Sequence, residues 1–291
     1  MPNLPNLPAR LRRGPPLLLD GATGTELEAR GVRSELPLWS SHALLEAPDV
    51  LAAIHRDYAR AGAEALTAAS FRTQRRTLER AGLASRAAEL SAQAVTLARR
   101  AGGGVYVLGS APPLEDCYRP DLVPDDESLR REHVEHAGNL AAAGADAILA
   151  ETHNTAREAR AAVAAAVAVG LPVIVSFVCG ADARLLSGEP LAEALDAVVP
   201  LAPLAVGVNC LPPSAVGACL EILAATGVPF GVYANLGAPG AEPAAPRSAA
   251  CSPHDYAAYA QAWARAGARF VGGCCGTTPA HISAVAAQRS A

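Results

Sequence analysis

The feature that most constrains the fold is an eightfold alternation of short apolar runs and longer Ala-rich stretches along the 291 residues. The apolar runs, bounded by turn residues, predict strands at 17–20, 65–70, 105–110, 147–151, 173–178, 205–210, 230–235 and 269–274. The intervening stretches predict helices at 48–61, 75–100, 126–143, 156–169, 191–199, 214–225, 253–266 and 279–288. Strands that alternate with helices pair in parallel, and nearly continuous apolar runs indicate that both faces of the sheet are covered.

A glycine junction recurs at the start of three of these strands. Gly62, Gly144 and Gly267 each follow an Ala-rich stretch and precede an apolar run. Glycine is common just past the end of a helix because it adopts the left-handed conformation without strain. The junction therefore predicts a helix that ends immediately before a buried strand.

Eight strand–helix units predict a single-domain α/β fold, the (β/α)8 TIM barrel, over residues 16–291 with an N-terminal extension at 1–15. An open, doubly wound sheet is the alternative, and the strand count and chain length favour the barrel. Residues 237–250, rich in Pro, Ala and Gly, are predicted to form a long loop after the seventh strand. In barrels such loops line the mouth of the active site.

Charge and composition exclude several functions. A formal net charge of −4, without a cluster of basic residues, offers nothing to nucleic acid or to an anionic membrane, so small molecules are the expected partners. All 24 basic residues are Arg. Without lysine, Schiff-base aldolases, pyridoxal phosphate enzymes and P-loop NTPases are excluded.

The apolar run at 17–19 is too short for a signal peptide or a membrane span, so we expect a cytoplasmic protein.

Polar residues collect at the predicted carboxyl ends of the strands, where barrel active sites are built. They are Asp20, Ser70, Glu151, Asn209 and Asn235. Taken singly, such residues also cap helices or turns, which is the alternative role for each of them.

Three of the seven cysteines indicate a metal site. Cys210 ends the sixth predicted strand, and Cys274 with Cys275 ends the eighth, inside the glycine-rich stretch 272–276. Three thiolates suit Zn²⁺ and leave its fourth tetrahedral position open for a substrate. The glycines allow the turn that brings adjacent cysteines to one ion. Buried core thiols, or a disulfide between the adjacent pair, are the alternatives.

The four other cysteines are expected in the core or at the surface: Cys117, Cys179, Cys219 and Cys251.

Several segments together resemble the homocysteine S-methyltransferase family, from about residue 17 to about residue 281. They are LLDGATGTEL at 18–27, LWS at 38–40, AASF at 68–71, AET at 150–152, GVNC at 207–210 and GGCCG at 272–276. The last two are the most specific, because they occur in the family's order and on the sixth and eighth strands.

The resemblance implies roles for individual residues. Cys210, Cys274 and Cys275 would bind zinc. The substrate-binding set would hold homocysteine, with Asp20, the Gly21 backbone and Glu151 at its amino and carboxylate ends: Asp20, Gly21, Ser70, Phe71, Glu151 and Asn209. Glu151 has an alternative role at the start of the following helix.

Two further residues are expected near the methyl donor. Trp39 would face a cationic methyl carrier, or else pack its loop against the barrel. Arg72 stands where relatives that use S-methylmethionine usually carry a neutral amide or aromatic residue, so the identity of the donor is open.

The function implied is zinc-dependent transfer of a methyl group from S-methylmethionine or a related sulfonium to L-homocysteine, giving methionine. Betaine, or a corrinoid- or folate-linked donor supplied by a partner, is the alternative within this class. A metal-dependent lyase or hydrolase that uses Asp20, Glu151 and His153, and a thiol redox or zinc-buffering protein, are alternatives of other classes. His153 itself is either a partner of the site or a loop residue.

Overall fold

The computed structural model describes residues 4–236 and 251–289, in which eight parallel strands form one sheet in the order β1-β8-β7-β6-β5-β4-β3-β2. A parallel bridge between Leu19 and Ala65 joins the two ends of the sheet. The Asp20 amide also donates to the Ala65 carbonyl at 3.0 Å. The sheet therefore closes, and the predicted (β/α)8 barrel is confirmed. The predicted loop at 237–250 lies outside the described residues.

The strands begin within one residue of their predicted starts. They are Leu17–Leu18 (β1), Ala65–Ala68 (β2), Tyr106–Ser110 (β3), Ala147–His153 (β4), Val173–Phe177 (β5), Ala205–Asn209 (β6), Phe230–Ala234 (β7) and Phe270–Gly273 (β8). Most end one or two residues before their predicted ends, where the chain already turns into the loop above the barrel. β4 alone is longer than predicted.

Twelve α-helices occur in the described residues. They are Leu7–Arg12 (α1), Gly24–Ala29 (α2), His42–Glu46 (α3), Pro48–Arg60 (α4), Arg75–Glu79 (α5), Ala87–Gly102 (α6), Asp126–Ala142 (α7), Ala156–Ala168 (α8), Leu191–Val198 (α9), Gly217–Ala225 (α10), Pro253–Arg265 (α11) and Pro279–Arg289 (α12). The predicted helix at 75–100 is interrupted, because Gly82 adopts φ +70° and a 3-10 turn precedes α6. None of these helices is long and apolar enough to cross a membrane.

The three junction glycines adopt the predicted conformation. The φ angles are +102° at Gly62, +82° at Gly144 and +103° at Gly267, each two residues past the end of its helix. The helix-end glycine is therefore confirmed at all three sites.

The N-terminal end of the barrel is closed by α1, which falls within the predicted extension at 1–15. Leu7 and Leu11 are buried in the same cluster as the side chains that fill the barrel. Arg10 pairs with Glu64 at 2.7 Å. This plug leaves the opposite end, where the strands terminate, as the open end of the barrel.

Candidate active site

The three predicted zinc ligands converge at the carboxyl end of the barrel. The Sγ atoms of Cys210, Cys274 and Cys275 lie within 4.8 Å of one another, and those of Cys210 and Cys274 are 2.9 Å apart. Within residues 4–236 and 251–289 no other group of three His, Cys, Asp or Glu side chains is placed to hold a metal ion. None of the seven cysteines forms a disulfide, so the vicinal disulfide is not formed.

Local backbone geometry brings the sulfurs together. Cys210 follows β6 with φ +57°, a left-handed conformation that is uncommon for residues with a side chain and that turns its thiol off the strand direction. After β8, Gly273 leaves no room for a side chain, since a Cβ atom there would lie 2.2 Å from the Thr277 hydroxyl. That hydroxyl donates to the Cys274 carbonyl at 2.7 Å and accepts from the Ala22 amide at 3.2 Å. The loops after β1 and β8 are thereby held together.

Asn209 supports the thiol site from beneath. Its Nδ2 donates to Cys210 Sγ at 3.3 Å and to the Thr152 hydroxyl at 2.8 Å. Its Oδ1 accepts from the Thr152 amide at 3.1 Å and from the Ser176 hydroxyl at 2.8 Å. Asn209 is fully buried and does not line the cavity, so the structure places it as a support for Cys210 rather than in reach of a substrate.

The donor set fits a tetrahedral metal ion. A Zn–S bond of about 2.3 Å places tetrahedral sulfur ligands about 3.8 Å apart, which is compatible with three sulfurs that lie within 4.8 Å of one another. All three cysteines also border an open cavity, so a fourth ligand could approach from that side. The cluster can therefore hold a metal ion with one exchangeable position.

Asp20 and Glu151 are buried acids that border the same cavity. Asp20 accepts from the Thr67 amide at 2.8 Å and from the Thr67 hydroxyl at 2.9 Å, and Glu151 accepts a short hydrogen bond from Ser110. Burial raises the pKa of each carboxyl to about 7, against ordinary values of 3.8 and 4.5. A cationic ligand would stabilise the ionised form of both.

Trp39 and Phe71 form an aromatic wall on the β2 side of the cavity. Trp39 packs edge-on against Phe71 with ring centroids 5.4 Å apart. The Arg72 guanidinium carbon lies 5.3 Å from the Phe71 centroid. All three residues line the cavity.

These residues share one cavity of about 370 Å³. The predicted site residues that line it are Asp20, Gly21, Trp39, Phe71, Arg72, Glu151, Cys210, Cys274 and Cys275. Ser70 lies behind the wall: its side chain is buried, donates to the Ser110 carbonyl at 2.9 Å and does not line the cavity.

Sequence reasoning missed several cavity residues: Thr67, Ser110, Thr152, Tyr118 and Tyr233. Four of them lie inside strands, where alternate residues face the barrel axis, so a polar residue within an apolar run was the available signal. Asn235, which was singled out only as a strand-end residue, also lines the cavity.

His153 lies away from this cavity. It is fully buried, its ring centroid is 6.0 Å from that of His133, and burial lowers its pKa to about 4. Among the described residues it does not group with Asp20 and Glu151 as a metal site. The geometry therefore gives no support to the lyase or hydrolase alternative.

The four remaining cysteines lie in different parts of the structure. Cys117 lines the cavity, and burial raises its pKa to about 12, so its thiol stays protonated at neutral pH. Cys179 and Cys219 are buried in the layer between sheet and helices, and Cys251 is half-buried. None of these four belongs to the metal cluster.

Comparison with known proteins identifies the family. The family model for homocysteine S-methyltransferase matches residues 17–289. Homocysteine S-methyltransferase of Escherichia coli is 34% identical, over 94% of this chain and 94% of that protein. Methionine synthase of Mycobacterium tuberculosis is also 34% identical, over 92% of this chain but 24% of that longer protein.

A solved structure agrees with the fold. The crystal structure of the homocysteine methyltransferase MmuM from Escherichia coli, in its metallated form, superposes with a TM-score of 0.84 at 31% identity, covering 98% of this chain and all of that one. A thiol cluster that can hold a metal, a full-length family match and a close structural relative lead to the same conclusion. The chain belongs to the homocysteine S-methyltransferase family of enzymes.

Proposed function

We propose that this protein transfers a methyl group from S-methylmethionine, or a related small sulfonium, to the thiol of L-homocysteine, giving methionine, with zinc held by Cys210, Cys274 and Cys275. The observation that carries the proposal is the convergence of three sulfurs on a cavity that also contains two buried acids and an aromatic wall. The names of the E. coli relatives support the acceptor, and the metallated crystal form supports a metal at the cluster.

The metal supplies one piece of chemistry. Cys210, Cys274 and Cys275 would hold the zinc ion, which when bound would supply the positive charge that keeps the homocysteine sulfur deprotonated at neutral pH, whereas a free thiol has a pKa of about 8.5. Asn209, through its 3.3 Å contact with Cys210 Sγ, orients one ligand and reduces the repulsion among the sulfurs.

The chain's own residues orient the acceptor. Asp20 and Glu151 border the same cavity as the thiol cluster, and their carboxylates are suited to bind the substrate ammonium. Gly21 lines the cavity and allows backbone N–H groups to approach the substrate carboxylate. These contacts fix the direction from which the sulfur meets the donor.

The transfer itself is a displacement at carbon. A bond forms between the homocysteine sulfur and the methyl carbon, and the bond from that carbon to the donor sulfur breaks. The electron pair stays on the donor, whose sulfonium becomes a neutral thioether. Trp39 and Phe71 border the cavity and offer aromatic surface to the cationic donor while limiting the access of water.

The remaining assignments follow from the same site. Three thiolate ligands require a reducing compartment, which favours a cytoplasmic location.

Betaine, or a corrinoid- or folate-linked donor presented by a partner, remains the alternative donor. The match to part of a methionine synthase is the observation that favours a presented donor. A cavity of about 370 Å³ favours the small donor.

Isotope-labelled acceptor tests the proposal. The zinc-loaded protein is incubated with deuterated L-homocysteine and, separately, S-methyl-L-methionine, glycine betaine or methylcobalamin, and deuterated methionine is measured by mass spectrometry. The label is needed because S-methylmethionine itself yields methionine when it loses a methyl group. We expect labelled methionine with S-methyl-L-methionine. Its formation from methylcobalamin alone would replace the proposed donor, and its absence with every donor would refute methyl transfer.

A further inference from the structure

We propose that Arg72 binds a carboxylate of the methyl donor, so that the enzyme selects zwitterionic donors over donors that are only cationic. This inference rests on the methyl transfer proposed above and adds a residue that determines donor specificity.

Arg72 is a buried cation without an anion. Its side chain is 7% exposed and lines the cavity. Nη1 donates to the Glu115 carbonyl at 3.2 Å, and Nε has no hydrogen-bond partner. Within the described part of the chain, Arg72 forms no ion pair with a carboxylate. Burying a guanidinium in this way is unfavourable unless a ligand provides the missing negative charge.

The two acids on the loop that contacts Arg72, Glu115 and Asp116, do not pair with it. The Glu115 carboxylate pairs with Arg76 at 3.2 Å and with Arg80 at 2.5 Å, so only its carbonyl serves Arg72. The Asp116 carboxylate also lines the cavity, but it accepts from the Tyr118 amide at 2.9 Å and forms no ion pair with Arg72. In the described residues the guanidinium is therefore left without a directly paired carboxylate, which a ligand in the cavity can provide.

The position of Arg72 indicates which substrate provides that charge. Its guanidinium packs over Phe71, whose ring packs against Trp39, so Arg72 ends the aromatic wall assigned to the donor. With one face against Phe71 and Nη1 donating to the Glu115 carbonyl, the guanidinium keeps N–H capacity that a carboxylate in the cavity can use. The ammonium group of homocysteine, the acceptor, is assigned to Asp20 and Glu151 and not to this part of the cavity.

Electrostatics then restricts the donor. A sulfonium without a carboxylate would meet the positive charge of Arg72 without bringing an anion to pair with it. A zwitterionic sulfonium can place its carboxylate at Arg72 and its cationic methyl group along the aromatic wall, closer to the thiols. The cavity therefore favours a donor that carries both charges.

Two sulfonium donors that differ only in the carboxylate test this inference. S-methyl-L-methionine and (3-aminopropyl)dimethylsulfonium are each supplied with deuterated L-homocysteine, and kcat/KM is measured for both. We expect the wild type to prefer the carboxylate donor by about 100-fold or more, because the analogue leaves Arg72 unpaired. Equal use of the two donors would overturn the inference.

The Arg72→Gln variant provides the second part of the test. We expect kcat/KM for the carboxylate donor to fall about 10- to 100-fold, with the loss in KM for the donor, while the decarboxylated donor is used as well as before or better. KM for homocysteine should change less than about twofold. Arg75→Gln is the matched control, because Arg75 is half-exposed, pairs with Glu135 and does not line the cavity.

Each other outcome has a defined meaning. A rise in KM for homocysteine alone would place the acceptor's carboxylate at Arg72 and overturn the inference, as would a loss of both donors alike. If Arg72→Gln does not fold, the wild-type ratio for the two donors decides. Labelled methionine from neither donor in the wild type would overturn the proposed function itself, which is distinct from equal turnover of both.

Discussion

Glu151 illustrates how a binding site can reduce the stability of the protein that carries it. Burial raises the pKa of this carboxyl from 4.5 to about 7, so the folded protein holds a proton that the unfolded chain releases. Between these two values the unfolded state binds fewer protons than the folded state. The contribution of Glu151 to the free energy of unfolding therefore falls as the pH rises from about 4.5 to about 7, and it stays low above that.

Replacing Glu151 with Gln should separate stability from function. We expect Glu151→Gln to raise the free energy of unfolding of the ligand-free protein by about 1–3 kcal/mol at pH 8 and by much less at pH 5, because Gln carries no charge to desolvate. The same variant should raise KM for homocysteine. Urea unfolding at the two pH values measures the first effect, with Glu193→Gln, on the exposed side of α9, as the control. Equal destabilisation at both pH values would contradict this account.

Residue identities at the site followed from the sequence more readily than residue roles. The three cysteines were predictable because each closes a strand and glycines flank the adjacent pair. The supporting role of Asn209 was not, because it depends on left-handed conformations at Cys210 and Thr152, with φ +57° and +62°. Local sequence does not specify such conformations for residues with side chains; the surrounding packing imposes them.

At the scale of elements, the loops after β1 and β8 behave as one unit. Tyr58, on α4, donates to the Ala22 carbonyl at 2.8 Å and to the Thr277 carbonyl at 3.1 Å. The Gly276 amide donates to the Thr25 hydroxyl at 3.0 Å. The loop that carries Cys274 is thereby held on several sides, which limits the movement of this predicted metal ligand.

Two glycine substitutions should have opposite effects. Gly273→Ala places a Cβ atom 2.2 Å from the Thr277 hydroxyl, so we expect a loss of about 1–3 kcal/mol in the free energy of unfolding and a weaker metal site. Gly138→Ala lies within α7 and meets no atom within 4 Å, so we expect a gain of about 0.5–1 kcal/mol without a change in activity. Denaturant unfolding and metal content measure both. A neutral Gly273→Ala would show that this loop is not tightly packed.

The elements that sequence reasoning missed are short. α2 and α3 contain six and five residues, too few to show helical periodicity. The interruption between α5 and α6 was missed for another reason. The stretch is rich in Ala and Arg, which favour helix, while the φ of +70° at Gly82 breaks it. Long, periodic elements were predictable, and turns set by a single backbone angle were not.

At the scale of the whole molecule, the two ends of the barrel have different tasks. The carboxyl ends of the strands carry the thiols, the acids and the aromatic wall, whereas the opposite end is filled by apolar side chains and closed by α1. This division is typical of the fold, in which chemistry is at one end and stability at the other. The eightfold alternation made the barrel predictable, but the six-residue α1, in a Pro- and Arg-rich segment, carried no pattern that indicated a plug.

A substitution that creates a cavity at the closed end of the barrel should lower the stability of the protein without changing its activity. Leu11 is fully buried against the barrel interior, so we expect Leu11→Ala to lower the free energy of unfolding by about 2–5 kcal/mol. Metal content and kcat/KM per folded molecule should remain those of the wild type. Leu4→Ala is the control, because Leu4 is 37% exposed. Loss of metal in folded Leu11→Ala would show that the two ends are coupled.

Zinc content per chain tests the central claim most directly. The protein, purified without chelators, should contain about one zinc ion per chain by mass spectrometry, and Cys210→Ala, Cys274→Ala and Cys275→Ala should each contain almost none. Cys219→Ala, at a buried thiol outside the cluster, should keep its zinc. Full zinc in any folded variant of the three cluster cysteines, or its loss in Cys219→Ala alone, would contradict a three-sulfur site and the chemistry derived from it.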